Sequence, residues 1–183
     1  MDIHINAPFK EEEIVKLQSG DMVYISGIIY SARDAAHLRM VEALERNETL
    51  PFDIINSVIY YMGPSPSREG KPIGSAGPTT AGRMDKYTPS LLDIGLKGMI
   101  GKGKRSPQVI EAIKRNKAVY LAAIGGAGAL LSKSIKKSEV IAYDDLGTEA
   151  VRRMEVESLP AIVVIDSKGN NLYDTAIEKY KDK

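Results

Sequence analysis

The sequence of 183 residues contains no cysteine and no tryptophan, and its two histidines are His4 and His37. Without cysteine the chain has no disulfide, no thiolate nucleophile and none of the usual ligands of an iron–sulfur cluster. Two histidines this far apart do not make a convincing zinc site. A metal-dependent activity would therefore need ligands from another chain.

The chain also lacks a charge excess and a long hydrophobic run. Lys and Arg total 25 against 24 Asp and Glu, a net charge of +1, whereas nucleic-acid-binding proteins normally carry a strong basic excess. The longest apolar run, residues 118–131, is too short to span a bilayer. The first residues, MDIHINAPFKEEE, are polar and do not have the pattern of a signal peptide. We therefore expect a soluble cytoplasmic protein that binds neither nucleic acid nor membrane.

What the sequence does contain is an alternation of strand-like and helix-like stretches. Strands are predicted for residues 21–31 (with a kink at Gly27), 56–62, 98–100, 118–124, 139–143 and 161–166. Helices are predicted for residues 10–18, 34–46, 90–96, 107–116 and 146–154, and a glycine-rich turn opens another within 125–137. Residues 167–173 are predicted to turn into an extended piece, followed by a charged tail over 175–183. This order predicts one α/β domain, residues 1–183, with a parallel or mixed sheet.

Polar or glycine-rich segments follow several of these strands, where open α/β sheets bind their ligands. The first segment, SARDAAH, places Arg33 at a strand-to-helix junction, where a guanidinium can take a carboxylate through two parallel hydrogen bonds. Arg33 can equally be a surface residue paired with Asp34 or Glu42. The helix that follows is expected to use Asp34 as its N-cap. Its expected apolar face is Ala35, Leu38, Val41 and Ala43 or Leu44.

The second segment, GSAGPTTAGRMDKY, covers residues 74–87 and has no helix or strand period. Glycines such as Gly77 let the backbone approach a ligand closely, and Thr79 and Thr80 supply hydroxyls. Arg83 follows Thr79 by four residues, so the two share a face if the segment is helical. An ordinary turn with a threonine helix cap has a similar composition. The density of small, polar and cationic groups favours a site for an anion or a polar substrate.

The third and fourth segments are GKGKRS, residues 101–106, and IGGAGALL, residues 124–131. GKGKRS lacks the spacing of a phosphate loop, so Lys102 is either a point charge for a carboxylate or part of a solvated basic turn. IGGAGALL superficially resembles a dinucleotide-binding fingerprint, but Leu131 stands where a third small residue belongs. We interpret this segment, which includes Gly126, as a close packing of helix on strand or a helix N-terminus directed at an anion.

Two arginines, one lysine and paired hydroxyls at successive loops fit a small dicarboxylate. No carboxylate pair, catalytic histidine or metal cluster stands out that would carry out chemistry on it. From the residues alone, the chain is half of an active site. A stand-alone anion- or nucleotide-binding module without catalysis, or a scaffold for a partner, are competing hypotheses.

These segments, together with LGTEAVRRMEVESLPAIVVIDSKGN at residues 146–170, resemble in order the β subunit, or C-terminal domain, of class I fumarate hydratases. L-tartrate dehydratase belongs to the same oxygen-sensitive iron–sulfur family. The resemblance runs from about Pro8 to Tyr173, and GPTTAGRMD is its specific part. It implies a swivelling β/β/α domain and reversible hydration of fumarate to (S)-malate. It also implies a partner α subunit that carries a 4Fe–4S cluster, in an α₂β₂ heteromer, although the isolated chain can form a homodimer.

The resemblance also assigns roles to residues of this chain that match the motifs. Arg33, Arg83 and Lys102 match binders of the substrate carboxylates, and Thr79 matches a participant in proton transfer. Thr80, Gly77 and Gly126 are expected to support them, and no metal ligand is expected in this chain. A threonine hydroxyl is a poor base, so Thr79 would need a partner, which the family supplies as an Asp of the α subunit. ARDAAH and LPAIVVIDSKGN favour fumarate over tartrate or methylfumarate, although GKGKRS departs from the K-G-N-R pattern common in fumarases.

Overall fold

The computed structural model describes residues 2–67, 69–124 and 128–181. The strands are β1 (Ile3–Ala7), β2 (Met22–Ser31), β3 (Val58–Tyr60), β4 (Gly98–Gly101), β5 (Val119–Ala123), β6 (Ile135–Ala142) and β7 (Val151–Ile165). The α-helices are α1 (Glu11–Ile14), α2 (Asp34–Glu45), α3 (Thr88–Asp93), α4 (Pro107–Asn116), α5 (Gly128–Leu131) and α6 (Leu172–Lys181). Short 3₁₀ helices cover Ala81–Met84, Ser132–Ser134 and Asp144–Glu149.

These strands form a mixed sheet, which confirms the predicted α/β class. Strands β1 to β5 pair in parallel with their neighbours, in the order of the chain. Strand β7 is antiparallel to β2, β5 and β6. Because β7 pairs with both β5 and β2, the pairings from β2 through β3, β4, β5 and β7 return to β2 and close a circuit. Strand β7 can pair with all three neighbours because it is 15 residues long.

The side chains of the central strands alternate between two apolar clusters, as expected of a sheet buried on both faces. On β3, Val58 and Tyr60 belong to one cluster and Ile59 to the other. The first cluster includes most of the buried side chains of β7, and the second includes its Val151, Val164 and Ile165 together with side chains of α2, α3 and α4. Strand β7 therefore contributes to both clusters, and these three helices pack on one face of the mixed sheet.

Strand β2 has the predicted kink at Gly27. Its pairing with β7 shifts register between Ile25 and Gly27, and Gly27 has a φ of +112°. A Cβ at this position would lie 2.2 Å from the carbonyl oxygen of Ala7 in β1. Glycine is therefore required here both by the backbone conformation and by the close approach of β1.

Several parts of the secondary structure differ from the prediction. Within 125–137, helix α5 ends at Leu131 and β6 already begins at Ile135, before the predicted start at residue 139. The helix predicted for residues 146–154 is wrong beyond Glu149, because Val151 begins β7 and this stretch pairs with β2 and β6. The extended piece predicted near the C-terminus is helix α6 from Leu172 onward. Strand β1 was not identified in the sequence. Its alternating residues, IHINA, are too few to stand out without their parallel partner β2.

Helix α2 has the predicted bounds within one residue, but its buried face is different. Its N-cap is Arg33, not Asp34, and no side chain caps the helix. The buried residues are Ala36, His37, Met40 and Ala43, whereas Leu38 is exposed. The expected face was right at Ala43 and wrong at Ala35, Leu38 and Val41, because a polar residue, His37, occupies a core position.

Candidate functional site

The segments that the sequence analysis singled out meet at one edge of the sheet. Strands β2, β3, β4 and β5 are parallel neighbours, so their carboxyl ends lie at the same edge. Arg33 follows β2, the 74–87 loop lies between β3 and β4, and Lys102 follows β4 directly. The fold therefore brings these segments together, as the sequence predicts.

Backbone hydrogen bonds join the threonine-rich loop to two of these strand ends. The amide of Thr79 donates to the carbonyl of Tyr61 at 2.7 Å, just beyond β3. The amide of Ala81 donates to the carbonyl of Lys102 at 2.8 Å, and the amide of Lys102 donates to the carbonyl of Thr79 at 3.3 Å. Residues 79–81 are thus held like a short strand beside the ends of β3 and β4.

A cleft of about 510 Å³ opens beside this pairing. Its volume is in the range of pockets that hold small molecules. Lys102 is the charged residue of its lining, and Ser65 and Ser75 contribute hydroxyls. The residues that line it are Gly63, Ser65, Ser75, Gly77, Pro78, Lys102, Ala123 and Leu131. Thr79 is half-buried and follows the lining residue Pro78.

Arg33 lies at the border of the same cleft. A Cβ added to Gly63 would lie 2.9 Å from Cδ and 3.2 Å from Nη1 of Arg33, so the arginine packs against a lining residue. Its Nε lies 3.9 Å from Oε1 of Glu149, and not beside Asp34 or Glu42. This contact is too long for a hydrogen bond, and the buried Nε has no hydrogen-bond partner among the described residues. The contact of Nη1 with the Gly63 position places the end of the guanidinium at the edge of the cleft.

Two other predicted site residues, Arg83 and Thr80, are not part of the cleft lining. Arg83 is exposed in the 3₁₀ helix Ala81–Met84, and it is not part of the cleft lining. Its segment nevertheless lies beside the lysine loop, because a Cβ on Gly82 would lie 3.9 Å from the carbonyl of Lys104. Thr80 is exposed and forms a parallel bridge with Lys102. Gly126 lies outside the described residues.

The interpretation of the segment 124–131 as a helix packed on a strand is wrong, although Gly128 does make close contacts. The amide of Ala76 donates to the carbonyl of Gly128 at 3.0 Å. A Cβ on Gly128 would lie 2.3 Å from Oγ of Ser75 and 2.5 Å from the amide nitrogen of Gly77. The packing is against the 74–87 loop, not against a strand, so this glycine fixes one wall of the cleft.

His37 supports the strand-to-helix junction from inside the protein. Its Nδ1 lies 2.8 Å from the carbonyl of Arg33. Since a carbonyl only accepts, Nδ1 carries the proton and donates. Burial, aided by the nearby Arg105 guanidinium, lowers the pKa of His37 to about 4. The neutral imidazole therefore holds the backbone of Arg33 in place, a role that the sequence did not reveal.

Sequence reasoning also missed Arg105 and Asp85, which form an ion pair behind the two loops. Nε of Arg105 donates to Oδ1 of Asp85 at 2.7 Å, and the arginine side chain is fully buried. In the sequence, Arg105 is one of several cations in GKGKRS, and nothing local separates a buried cation from a solvated one. The spacing of Asp85, two residues after Arg83, carries no signal by itself.

The residues of this chain do not fit an iron–sulfur cluster. The sequence has no cysteine, and the described ranges contain no group of three His, Asp or Glu side chains that would hold a metal ion. In the same ranges, no helix is both long enough and apolar enough to cross a bilayer.

Comparison with known proteins agrees with these features. The family model of the Fumarase C-terminus matches residues 1–176. The class I aerobic fumarate hydratase of Salmonella typhimurium is 40% identical over 175 residues, which are 93% of this chain and 30% of that protein. Fumarate hydratase 2 of Leishmania major is 41% identical over 168 residues, which are 91% of this chain and 30% of that protein. A protein of Methanocaldococcus jannaschii, provisionally named L(+)-tartrate dehydratase subunit beta, is 38% identical over 179 residues, 94% of this chain and 92% of that protein.

The chain thus spans about 30% of the length of these fumarate hydratases. It spans almost the whole of the subunit beta relative. The family match covers nearly all of the chain, in agreement with the resemblance found in the motifs. The chain belongs to the Fumarase C-terminus family.

Proposed function

We propose that this chain is the dicarboxylate-binding part of a hydro-lyase that reversibly hydrates fumarate to (S)-malate. The observation that carries the proposal is the cleft at the carboxyl edge of the sheet, where the backbone of Lys102 pairs with that of residues 79–81 and Arg33 lies at the border. A four-carbon dianion needs a cation near each end and small polar groups between them. The cleft supplies both, in a chain of the fumarase family.

In this proposal, Lys102 and Arg33 bind the two carboxylates. Lys102 acts as a point charge in the cleft, and the guanidinium of Arg33 uses the donors that Glu149 leaves free. Arg83 follows Gly82, which lies beside the lysine loop, and we assign it to the same carboxylate-binding role when a partner covers its exposed side chain. Gly77, Thr80 and Gly126 support the substrate through the backbone and through one hydroxyl.

Thr79 takes part in proton transfer at the carbon next to a carboxylate. Its position after the lining residue Pro78 and its half-buried side chain support this role. An isolated threonine hydroxyl is a weak base at neutral pH and needs an adjacent proton acceptor. The residues that line the cleft include no carboxylate and no imidazole. We therefore assign the acceptor, an aspartate, to the partner subunit.

The iron–sulfur cluster is likewise assigned to an α subunit, in an α₂β₂ assembly in the cytoplasm. When bound there, a 4Fe–4S cluster with an open iron supplies a Lewis acid for the substrate hydroxyl. The almost complete coverage of a relative named subunit beta supports a separate chain. We assign residues 1–183 to a single domain, with the charged residues 175–183 as its end.

L(+)-tartrate is the second candidate substrate, because the relative that this chain matches over 92% of its length carries that provisional name. Both substrates are four-carbon dicarboxylates, so the same cations can bind either one. They differ in that fumarate has no hydroxyl group and tartrate has two, and we assign the contacts to those hydroxyls to the partner.

The test is anaerobic co-expression with a cluster-bearing α subunit, with fumarate and L(+)-tartrate as substrates. We expect the complex to hydrate fumarate faster than it dehydrates tartrate, and we expect no activity from the isolated chain. A faster reaction with tartrate would make the second candidate correct. Fumarate hydration by the isolated chain would overturn both.

Calorimetry on the isolated chain tests the non-catalytic alternative. Without the partner, the isolated chain leaves much of the surface of a bound dicarboxylate in water. We therefore expect weak binding of succinate and no binding of ATP or NAD. Tight binding of either nucleotide would favour a nucleotide-binding module instead.

A further inference from the structure

Arg105 is a buried cation that contacts several loops at once. Its side chain is fully buried, and its Nε donates to Asp85 at 2.7 Å. Its Nη2 donates to Oγ1 of Thr88 at 2.9 Å and to the hydroxyl of Tyr61 at 3.1 Å. The guanidinium also lies over the rings of Tyr61 and Tyr120, at 5.1 and 4.8 Å from their centroids. A guanidinium is buried in this way only where such partners satisfy it.

Asp85 connects the two segments that carry exposed cations. It lies just beyond the 3₁₀ helix that contains Arg83. Its Oδ1 accepts from Arg105, and its Oδ2 accepts from the backbone amide of Ser106 at 2.7 Å. Both donors belong to the loop that begins with Lys102. One carboxylate therefore joins the Arg83 segment to the end of the Lys102 loop.

The two tyrosines extend the same network to the neighbouring strand ends. The backbone carbonyl of Tyr61 accepts the amide of Thr79 at 2.7 Å. The hydroxyl of Tyr120, on β5, donates to the carbonyl of Gly103 at 2.8 Å. Arg105 therefore contacts side chains on both sides of the loops that form the candidate site.

We propose that Arg105 and Asp85 are positioning residues that hold the Lys102 loop against the Arg83 segment, and so set how far Lys102 lies from Arg33 and which length of dicarboxylate the site accepts. This inference rests on the proposed function. Arg83 and Lys102 are exposed, and their side chains have no partner among the described residues. The backbone positions of the two loops therefore determine where the charged groups can lie. A buried ion pair is weak evidence for stability alone. The two oxygens of Asp85 instead bind two donors of the Lys102 loop, Nε of Arg105 and the amide of Ser106, which fixes the orientation of the carboxylate.

The chain offers a matched control at the opposite end of β4. Lys97 precedes this strand and is also buried, with 8% of its side chain exposed. Its Nζ donates to Glu11 at 3.0 Å and to the carbonyl of Asn116 at 2.9 Å. Lys97→Met removes a buried cation of comparable burial without touching the loops of the cleft.

The first test compares the reconstituted complex carrying wild type, Arg105→Lys or Lys97→Met. Lysine keeps the charge but cannot bond Asp85, Thr88 and Tyr61 together. For Arg105→Lys we expect the KM for fumarate to rise about tenfold while kcat changes less. Inhibition by malonate, succinate and glutarate should lose the wild-type preference for four carbons. Lys97→Met should lower Tm and leave KM and this preference unchanged.

The second test does not depend on activity. Hydrogen exchange in the full chain reports the amides of Ala81 and Lys102, whose hydrogen bonds join the two loops, and the amide of Thr79, which donates to Tyr61. Arg105→Lys, or Asp85→Asn if the first variant does not fold, should speed exchange at these amides, and Lys97→Met should not. If the wild-type complex has no hydratase activity, the proposed function fails and exchange alone decides the positioning role. If Arg105→Lys only lowers Tm, with KM, inhibitor preference and local exchange as in wild type, the positioning role is wrong.

Discussion

Thr80 and Lys102 lie side by side as a parallel backbone bridge. The bridge continues the sheet beyond the ends of β3 and β4, through the hydrogen bond from the amide of Ala81 to the carbonyl of Lys102. The threonine-rich loop and the lysine loop therefore share one backbone framework. This pairing explains how the exposed Lys102 and the half-buried Thr79, whose carbonyl accepts from the amide of Lys102, keep a fixed relation at the cleft.

Replacing Gly128 tests the wall of the cleft. In Gly128→Ala the new Cβ would lie 2.3 Å from Oγ of Ser75 and 2.5 Å from the amide of Gly77. We expect a loss of about 1–3 kcal/mol in unfolding free energy and a higher KM for the dicarboxylate. Gly82→Ala is the control, because its Cβ meets nothing closer than 3.9 Å. Denaturant unfolding and steady-state kinetics measure both effects, and equal behaviour of the two variants would contradict the packing.

Replacing Thr79 separates proton transfer from binding. Thr79→Val keeps the shape and the backbone hydrogen bond to Tyr61 but removes the hydroxyl. We expect kcat of the complex to fall by about 10²–10⁴, with a small change in KM. Thr79→Ser restores a hydroxyl and should recover much of the activity. A Thr79→Val complex with the kcat of wild type would remove Thr79 from the chemistry.

The lowered pKa of His37 leads us to expect that the stability of the protein depends on pH. Its pKa is lowered from 6.5 to about 4 in the folded protein, mainly by burial. Between these values the unfolded chain binds a proton that the folded chain excludes, so stability is full above the upper value and falls as the pH drops through the window. The loss reaches about 3 kcal/mol at the lower end. Below it the folded imidazole is protonated too, and this contribution stops changing.

The measurement is the unfolding free energy of His37→Asn from pH 7 to pH 4. Asparagine can keep the hydrogen bond to the carbonyl of Arg33 and does not titrate, so this variant should show a shallower slope than wild type. His4→Asn removes the exposed imidazole and is the control. Equal slopes for the three proteins would show that His37 does not contribute the dependence.

Local signals in the sequence were sufficient for the elements that carry their own caps and turns. Helix α4 was predicted with the bounds it has, since Pro107 starts it and Ser106 caps it by accepting from the amide of Val109. The kink in β2 was likewise predicted from a local signal, the glycine at position 27 inside a strand-like stretch. Lys102 and Thr79 were predicted to lie in loops because glycine and proline residues surround them in the sequence.

The features that the sequence did not predict depend on contacts between residues that are distant in the chain. Residues 151–154 are a strand because β2 and β6 pair with them, and LGTEAVRRM contains no sign of either partner. Arg33 contacts Glu149, from a distant part of the chain, not its sequence neighbours. Arg105 is buried because Asp85, Tyr61 and Tyr120 surround it. Such partners meet only when the sheet has formed.

The most direct test of substrate binding by this chain is kcat/KM for fumarate in complexes carrying Lys102→Met or Lys104→Met. Both lysines are exposed, so neither variant should change stability by more than about 0.5 kcal/mol. Lys102 lines the cleft and Lys104 does not. A hydrogen bond to a charged group contributes about 1.5–3 kcal/mol, so we expect Lys102→Met to lower kcat/KM by about 10- to 100-fold and Lys104→Met to match wild type. Equal values for the two variants would contradict dicarboxylate binding at this cleft.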